Sequence, residues 1–255
     1  MNLQRDGSRI AGIVLAVVLT AVLAVALWWG FLRDPAQKAA EGMRVALEVS
    51  KAADGAPPSA FDTGQPATTS QSATDPGSNF VVRDGKLTYK PTTNDVSAAY
   101  YSTPNMGAPV NALGARFVFY PGQGTNGAVT LLISRGVRGE LPWPVPPIPL
   151  HFVVTAVNWN LAVGKDEQTP LEIIAAGDHK EPLVEDGRTA YTVSAEIDGA
   201  RVKLHLPDGQ ERVVEDARIS QWQGNYATFE VYSNHGLTDS IGGFEELWAD
   251  SRSRD

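Results

Sequence analysis

Two carboxylates lie two residues apart, at Glu196 and Asp198, within the segment "YTVSAEIDGARVKLHLPDGQERVV". Side chains alternate between the two faces of a β-strand, so this spacing could place both groups on one side of a sheet. Retaining glycosidases use such a pair of carboxylates. The competing interpretation is a hairpin, because Asp-Gly is a strong signal for a two-residue turn.

The residues around this pair favour the hairpin. With residues 198–199 as the loop, Ile197 lies opposite Ala200, and Glu196 lies opposite Arg201. Apolar side chains then pair with apolar ones, and a carboxylate faces a guanidinium, as sheet pairing favours. The pattern therefore predicts a turn, with no catalytic residues at this position.

Short strands must position any functional side chain in the second part of the chain. Residues 80–250 contain about a dozen short apolar or alternating segments, separated by turn residues every 8–12 positions. "FVVRDGKLTYKP" predicts a hairpin at Asp84-Gly85. With no helical segment of more than two turns, this pattern predicts an all-β antiparallel sandwich.

A membrane anchor is predicted at residues 10–32, "IAGIVLAVVLTAVLAVALWWGFL". The segment carries no charge, and as a helix it would span roughly 35 Å, enough to cross the hydrocarbon core. A cleaved signal peptide is the alternative, because residues 24–26 match an A-x-A site, but the apolar run is longer than a signal peptide requires. Residues 1–9 are then a short cytoplasmic tail, and the rest of the chain is extracytoplasmic at a cell membrane.

Residues 33–79 are predicted to be a stalk and a linker. Residues 36–53 are compatible with a helix or a strand, and the alternation over 43–49 favours a strand. Residues 54–79 are rich in Pro, Gly, Ser and Thr, with Phe61 as the one large apolar residue, so they are predicted to pack little. Residues 251–255 are predicted to be a disordered tail.

Composition excludes several classes of function. The formal net charge of −8 argues against nucleic-acid binding, which requires a basic face. The chain has no cysteine, so thiolate metal sites, cysteine nucleophiles and disulfides are excluded.

The segments "NFVVRDGKL", "TAYTVSAEIDGARVKLHLPDGQ" and "NYATFEVYS…GFEELWA" resemble the concanavalin A-like lectin and glucanase jelly roll, including laminin-G-type modules. The resemblance covers roughly residues 78–250 and implies a two-sheet jelly-roll sandwich. It also implies a concave face and rim loops that often bind saccharides, with a calcium ion in many members. The glucanase branch carries E-[hydrophobic]-D-x-x-E, whereas position 201 here is Arg, so the resemblance does not extend to the catalytic acid.

Two aromatic clusters are candidate saccharide contacts, because a tryptophan flanked by amides can stack on a sugar and bind its hydroxyls. The alternative for Trp159 is a place in the core, since it lies within an apolar strand. The candidate residues are Trp159, Asn158 and Asn160 in the first cluster, and Trp222, Gln221, Gln223, Asn225 and Tyr226 in the second.

A proline-rich strip, "ELPWPVPPIPL" at 140–150, is predicted to be extended and to present Trp143 to a partner, or else to be a stiff crossover. Calcium could be bound by Asp178, Glu185, Asp186 or Asp239, although no spacing distinguishes these from ordinary turn residues.

Two functional hypotheses follow from the sequence. The first is a non-catalytic, membrane-anchored lectin-like module that binds a cell-envelope saccharide. The second is an accessory subunit that contacts a membrane-protein partner through the sandwich. An atypical glycosidase is a third and weaker hypothesis, which requires two close carboxylates on the concave face.

Overall fold

The computed structural model describes residues 42–72, 75, 78–137, 150–164, 171–221, 223–234, 236–237 and 239–252. Fifteen strands in these ranges form two antiparallel sheets, which confirms the predicted all-β two-sheet sandwich. Within the same ranges no helix has the length and apolar character needed to cross a bilayer. The predicted span at 10–32 and the tail at 1–9 lie outside the described residues.

The strands are short, as the spacing of turn residues predicts. A 3₁₀ turn at Val49–Lys51 and one short helix, α1 at Ala217–Gln221, complete the described elements. The strands are β1 (Arg44–Glu48), β2 (Thr68–Gln71), β3 (Val81–Arg83), β4 (Lys86–Thr88), β5 (Ser97–Ser102), β6 (Ala112–Phe119), β7 (Gly127–Ser134), β8 (Leu150–Thr155), β9 (Asn158–Val163), β10 (Glu172–Asp178), β11 (Tyr191–Asp198), β12 (Arg201–His205), β13 (Glu211–Glu215), β14 (Tyr226–Ser233) and β15 (Gly242–Asp250).

The first sheet has eight strands in the order β13-β12-β11-β6-β15-β4-β3, and β1 also pairs with β15. The second sheet has seven strands in the order β10-β9-β8-β7-β14-β5-β2. Side chains alternate along each strand, so each sheet turns one face towards the other sheet and one face outwards.

The core lies between the two inner faces. Phe229 on β14 meets Phe244 on β15 with ring centroids 6.3 Å apart, and Phe80 lies 6.1 Å from Phe244. All three rings are almost completely buried. Burying one such side chain contributes about 1.5–3 kcal/mol, so contacts of this kind hold the two sheets together.

The sandwich begins earlier in the chain than predicted. Residues 44–48 form β1, and Leu47 pairs with Leu247 of β15, in agreement with the strand favoured for 43–49. The predicted linker is also part of the fold: Phe61 is buried against Tyr101, with ring centroids 5.4 Å apart, and β2 pairs with β5. The sandwich was predicted to begin at residue 80, and this boundary differs from the structure. The reason is that Phe61 packs against Tyr101 of β5, a contact that local sequence does not reveal.

The predicted disordered tail also differs at its start. Ser251 is buried, its backbone N–H donates to the carbonyl oxygen of Met43, and its hydroxyl donates to that of Met106 at 2.8 Å. These bonds extend the pairing of β15 with the start of the sandwich. Residues 253–255 lie outside the described residues.

A buried carboxylate ties the segment before β3 to the sandwich. Asp75 has no exposed surface and accepts hydrogen bonds from the Tyr89 hydroxyl at 2.7 Å, from the Thr92 backbone N–H at 3.0 Å and from the Thr92 hydroxyl. The Tyr89 hydroxyl also lies 2.8 Å from the Ser97 hydroxyl. Burial raises the pKa of Tyr89, which remains a donor across the physiological range.

One predicted hairpin is confirmed, and the register of another is wrong. Asp84 and Gly85 both have positive φ and join β3 to β4, as predicted. In the second hairpin the loop is Gly199–Ala200, because Asp198 pairs with Arg201.

The shift slides each residue of β11 by two positions along β12. Glu196 therefore lies opposite Lys203, where Arg201 was predicted. A slide of two residues keeps every side chain on the same face, so alternation alone cannot detect it. The turn decides the register: Gly199, with φ of 58°, takes the first central position, where a type II′ turn requires glycine.

We expect Asp75→Asn to lower the free energy of unfolding by roughly 2–3 kcal/mol, because an amide cannot accept all the bonds that the carboxylate accepts. Urea titration of the purified chain measures this loss. Asp95→Asn, at an exposed position, is the matched control and should change the value by less than about 0.5 kcal/mol. Equal effects of the two substitutions would show that the Asp75 network is not stabilising.

The same carboxylate should make stability depend on pH. Burial alone would raise the pKa of Asp75, but the hydrogen bonds from Thr92 and Tyr89 outweigh it and hold the pKa below its ordinary value. The ionised Asp75 carboxylate therefore stabilises the folded chain fully above its unfolded-state pKa of about 4. This stabilisation is lost as the pH falls through the lower folded-state pKa. Between about pH 5 and pH 2, stability should fall more steeply in the natural chain than in Asp75→Asn.

Candidate functional site

The outward face of the second sheet carries a continuous set of polar side chains, which we call the polar face. It is distinct from the core, because the residues that alternate with it, such as Phe152 and Phe229, belong to the buried apolar cluster between the sheets. The polar face consists of Asn158, Asn160, His151, Thr155, Thr130, Tyr226, Thr228, Glu230, Tyr232, Tyr100, Ser102 and Ser70, with the apolar residues Val153 and Leu132 between them.

One row of this face crosses the sheet through directly paired residues. The successive partners are Asn160, Val153, Thr130, Glu230, Tyr100 and Ser70. Adjacent members of such a row lie about 4.5–5.5 Å apart at Cβ. From Asn160 to Glu230 the row spans three strand spacings, about 14 Å.

Glu230 occupies the centre of the row and is only 4% exposed. Its Oε2 lies 3.3 Å from Nε2 of His151, which reaches across β7 from β8 and is more exposed than the carboxylate. A carboxylate buried in this way requires a donor, and the imidazole N–H supplies one. This pair links β8 to β14 through side chains on the polar face.

Hydroxyl groups of tyrosine, threonine and serine share the polar face with this carboxylate. Burial raises the pKa of Tyr232, and the negative charge of Glu230 raises it further, so the Tyr232 hydroxyl keeps its proton at neutral pH. The hydroxyls of Ser102 and Thr228 lie 2.8 Å apart on neighbouring strands. These groups can each donate and accept a hydrogen bond.

Thr130 carries an unsatisfied group at the centre of the polar face. It is 1% exposed, and its Oγ1 has no hydrogen-bond partner among the described residues. Buried polar atoms are normally paired with protein or with an ordered water, so an orphaned hydroxyl points to a missing water or ligand group. Thr130 is the direct cross-strand partner of Glu230.

The first predicted cluster is divided between the two faces of β9. Asn158 and Asn160 lie on the polar face and are partly exposed, and the Thr155 hydroxyl donates to Oδ1 of Asn158 at 2.9 Å. Trp159 points into the core and is 4% exposed, with its ring against Phe152 and directly over Gly177. Its burial leaves no open ring face on which a sugar could stack.

The second predicted cluster lies where the chain enters β14. Gln221 and Gln223 are exposed, and their carbonyl oxygens each accept a hydrogen bond of 3.3 Å from the Arg135 guanidinium. Asn225 is partly buried, and Tyr226 pairs with Ser134 at one end of the polar face. Trp222 lies outside the described residues, as does Trp143 of the proline-rich strip.

The two clusters therefore share one sheet but are not brought into contact. Tyr226 lies on β14, and Asn160 lies on β9, with β8 and β7 between them. Sequence reasoning missed the groups in between, namely Glu230, His151 and Thr130. The available signal was a single glutamate at an outward position in the apolar strand "YATFEVYS".

The residues considered for calcium do not form a metal site in the described part of the chain, where no three His, Asp or Glu side chains are placed to hold one ion. The Asp186 carboxylate accepts bonds from the Thr189 and Arg188 backbone N–H groups, which lower its pKa in the manner of a turn. Glu185 accepts a bond of 2.6 Å from the Gly124 N–H. These donor sets do not fit the six to eight oxygen ligands of calcium.

No protein-family model matches the sequence, and no curated protein matches it. Solved structures do resemble the sandwich. A mutant of the Emp46p carbohydrate recognition domain aligns with a TM-score of 0.53 at 10% identity, over 74% of this chain and 89% of that chain. The legume lectin-like domain from Entamoeba histolytica aligns with a TM-score of 0.51 at 7% identity, over 71% and 88%. The Emp47p carbohydrate recognition domain aligns with a TM-score of 0.50 at 11% identity, over 82% and 95%.

At these identities the likeness shows the fold. The described chain has an antiparallel two-sheet sandwich fold similar to that of these carbohydrate recognition domains, in agreement with the jelly-roll fold that the resemblance in the sequence implies.

We expect Trp159→Ala to lower the free energy of unfolding by about 3–5 kcal/mol, because it removes a large ring from the core. Asn160→Ala, one position along on the polar face, should cost less than about 1 kcal/mol. Urea titration of both variants checks the division of β9 into two faces. A cost below about 1 kcal/mol for Trp159→Ala would contradict the core placement.

Proposed function

We propose that this chain is a lectin-like module that binds a saccharide on the polar face without cleaving it. The observation that carries the proposal is the central row of that face, in which the Asn160 amide, the Thr130 hydroxyl and the Glu230 carboxylate lie in one line across the sheet, with Val153 between the first two. Saccharide hydroxyls both donate and accept hydrogen bonds, and these three groups offer the complementary atoms.

The half-buried members of the face support contact with a ligand. Asn158, Asn160, His151, Tyr226 and Tyr232 are partly exposed, whereas Glu230 and Thr130 on the same face are buried. Tyrosine offers an apolar ring together with a polar tip, which suits a sugar that has C–H groups on one side and hydroxyls at its edge. We include Gln221, Gln223, Asn225 and Trp222 in the proposal as a second contact zone beside Tyr226.

The carboxylates favour binding without hydrolysis. Among the described residues of the polar face and its edge strand β10, carboxylates are present at Glu230 on β14 and at Glu172 and Asp178 on β10, and these two strands lie four spacings apart. That separation is roughly 19 Å, compared with about 5–9.5 Å in glycosidases. At the position first considered, Glu196 lies 3.5 Å from His205 on the first sheet, and Asp198 lies opposite Arg201.

We further propose that residues 10–32 anchor the chain in a cell membrane, with the sandwich on the extracytoplasmic side. The support is the sequence of that segment, which has 23 residues without a charge, preceded by a short tail. Such an anchor would hold the polar face near an envelope saccharide.

Asn160→Ala should weaken saccharide binding by the full chain about tenfold, because it removes the partly exposed amide from the central row of the face. A panel of envelope polysaccharides, with binding measured by interferometry, provides the test. Thr192→Ala, on an exposed position of the first sheet, is the control and should bind like the natural chain. A chelator should leave binding unchanged, since the described residues provide no calcium site.

Absence of binding to every polysaccharide would overturn the proposal. The accessory-subunit hypothesis, in which the sandwich and Trp143 contact a membrane protein, would then be favoured. Equal losses in Asn160→Ala and Thr192→Ala would instead move the site away from the polar face.

The membrane proposal predicts that cysteines engineered on the two sides of the membrane differ in their accessibility to a thiol reagent. Because the natural chain has no cysteine, each variant carries a single thiol. In intact cells, a membrane-impermeant maleimide should label Ser59→Cys, at an exposed position of the sandwich. It should label Ser8→Cys in the tail only after permeabilisation. Labelling of Ser8→Cys alone in intact cells would reverse the proposed orientation.

A further inference from the structure

The two sheets differ in the charges that they carry. None of the residues in the seven strands of the second sheet is lysine or arginine. The strands of the first sheet carry Arg44, Arg83, Lys86, Arg116, Arg201, Lys203 and Arg212. The polar face therefore holds a buried carboxylate with a histidine as its only potentially cationic neighbour in these strands.

The carboxylate oxygens of Glu230 determine which hydrogen-bonding group of a ligand can bind there. Oε2 contacts His151, and Oε1 has no hydrogen-bond donor among the described residues. A carboxylate accepts hydrogen bonds and does not donate them, so a ligand group at Oε1 must be a donor. The unpaired hydroxyl of Thr130, on the directly opposite residue, can donate or accept beside it.

An acidic ligand would be repelled by the Glu230 carboxylate. A second carboxylate near Glu230 has no lysine or arginine on the sheet to neutralise it, and the buried position of Glu230 weakens screening by solvent. The guanidinium of Arg135, just beyond β7, donates to the carbonyl oxygens of Gln221 and Gln223. At a separation of about 6–8 Å, the repulsion would weaken binding roughly tenfold to a hundredfold.

We infer that Glu230 determines specificity at the polar face: it accepts a hydrogen bond from a hydroxyl of an uncharged saccharide and excludes acidic saccharides such as uronates. This inference rests on the proposed saccharide-binding function and identifies the class of saccharide. Thr130 holds the neighbouring hydroxyl of the same ligand.

A purely structural role for Glu230 is the competing explanation, since the bond to His151 links β8 and β14. The two roles differ in what a substitution changes. Loss of a structural pair lowers stability and weakens all ligands alike, whereas loss of a specificity-determining charge alters the ratio between neutral and acidic ligands.

An array of neutral oligosaccharides tests the inference, with each member printed beside its uronate, in which a carboxylate replaces the C6 hydroxymethyl group. The full chain should bind neutral members and bind their uronates at least about tenfold more weakly. Glu230→Gln should narrow this ratio to within about threefold, because the amide has no charge. Glu215→Gln, an exposed acid on β13 of the first sheet, should leave the ratio unchanged.

The possible results distinguish a failure of the specificity inference from a failure of the proposed saccharide-binding function. Equal binding of neutral and uronate members by the natural chain would overturn the inference while leaving saccharide binding in place, and this measurement requires no variant to fold. An unchanged ratio in a folded Glu230→Gln variant would also overturn it. Binding to no member would overturn the proposed function itself. Thr130→Val should weaken neutral binding several-fold without loss of stability, since the hydroxyl that it removes has no hydrogen-bond partner among the described residues.

Discussion

Packing between the inner faces of the two sheets is the interaction on which the rest of the structure depends. Phe229 and Phe244 meet across that interface, and the apolar residues that alternate along each strand surround them. Because side chains on a strand alternate, every residue committed to this core places its neighbours on an outward face. The constraint explains why Trp159 is buried while Asn158 and Asn160 reach the polar face from the same strand.

The outward faces are free to differ because the core does not restrict their chemistry. The first sheet is covered by ion pairs, such as the Lys203–Glu211 contact of 3.0 Å, which are typical of a solvated surface. The second sheet places a carboxylate, hydroxyls and amides among partly buried tyrosines. Burial of charge and of an unpaired hydroxyl costs stability, so a polar centre of this kind is more readily explained by ligand binding than by folding.

Local patterns in the sequence predict most of the strands but not their partners. The hairpin at Asp84–Gly85 and the strand at 44–48 follow from turn chemistry and alternation within a few residues. The register of the β11–β12 hairpin did not follow, because a slide of two residues preserves the alternation. The folding of residues 54–72 into the sandwich was also hidden, since Phe61 meets Tyr101 only in three dimensions.

The candidate site could be predicted only in part for the same reason. Amides beside Trp159 marked one edge of the polar face, but the Glu230–His151 pair joins residues 79 positions apart. Neither residue has a local motif, and only the order of β8, β7 and β14 brings them together.

The central claim, that a saccharide binds on the outward face of the second sheet, is tested most directly by hydrogen–deuterium exchange of the full chain with and without a bound oligosaccharide. Protection should rise in peptides from β7, β8, β9 and β14 and should remain unchanged in β11 to β13 of the first sheet. Protection confined to β11 to β13, with none in the second sheet, would contradict the account.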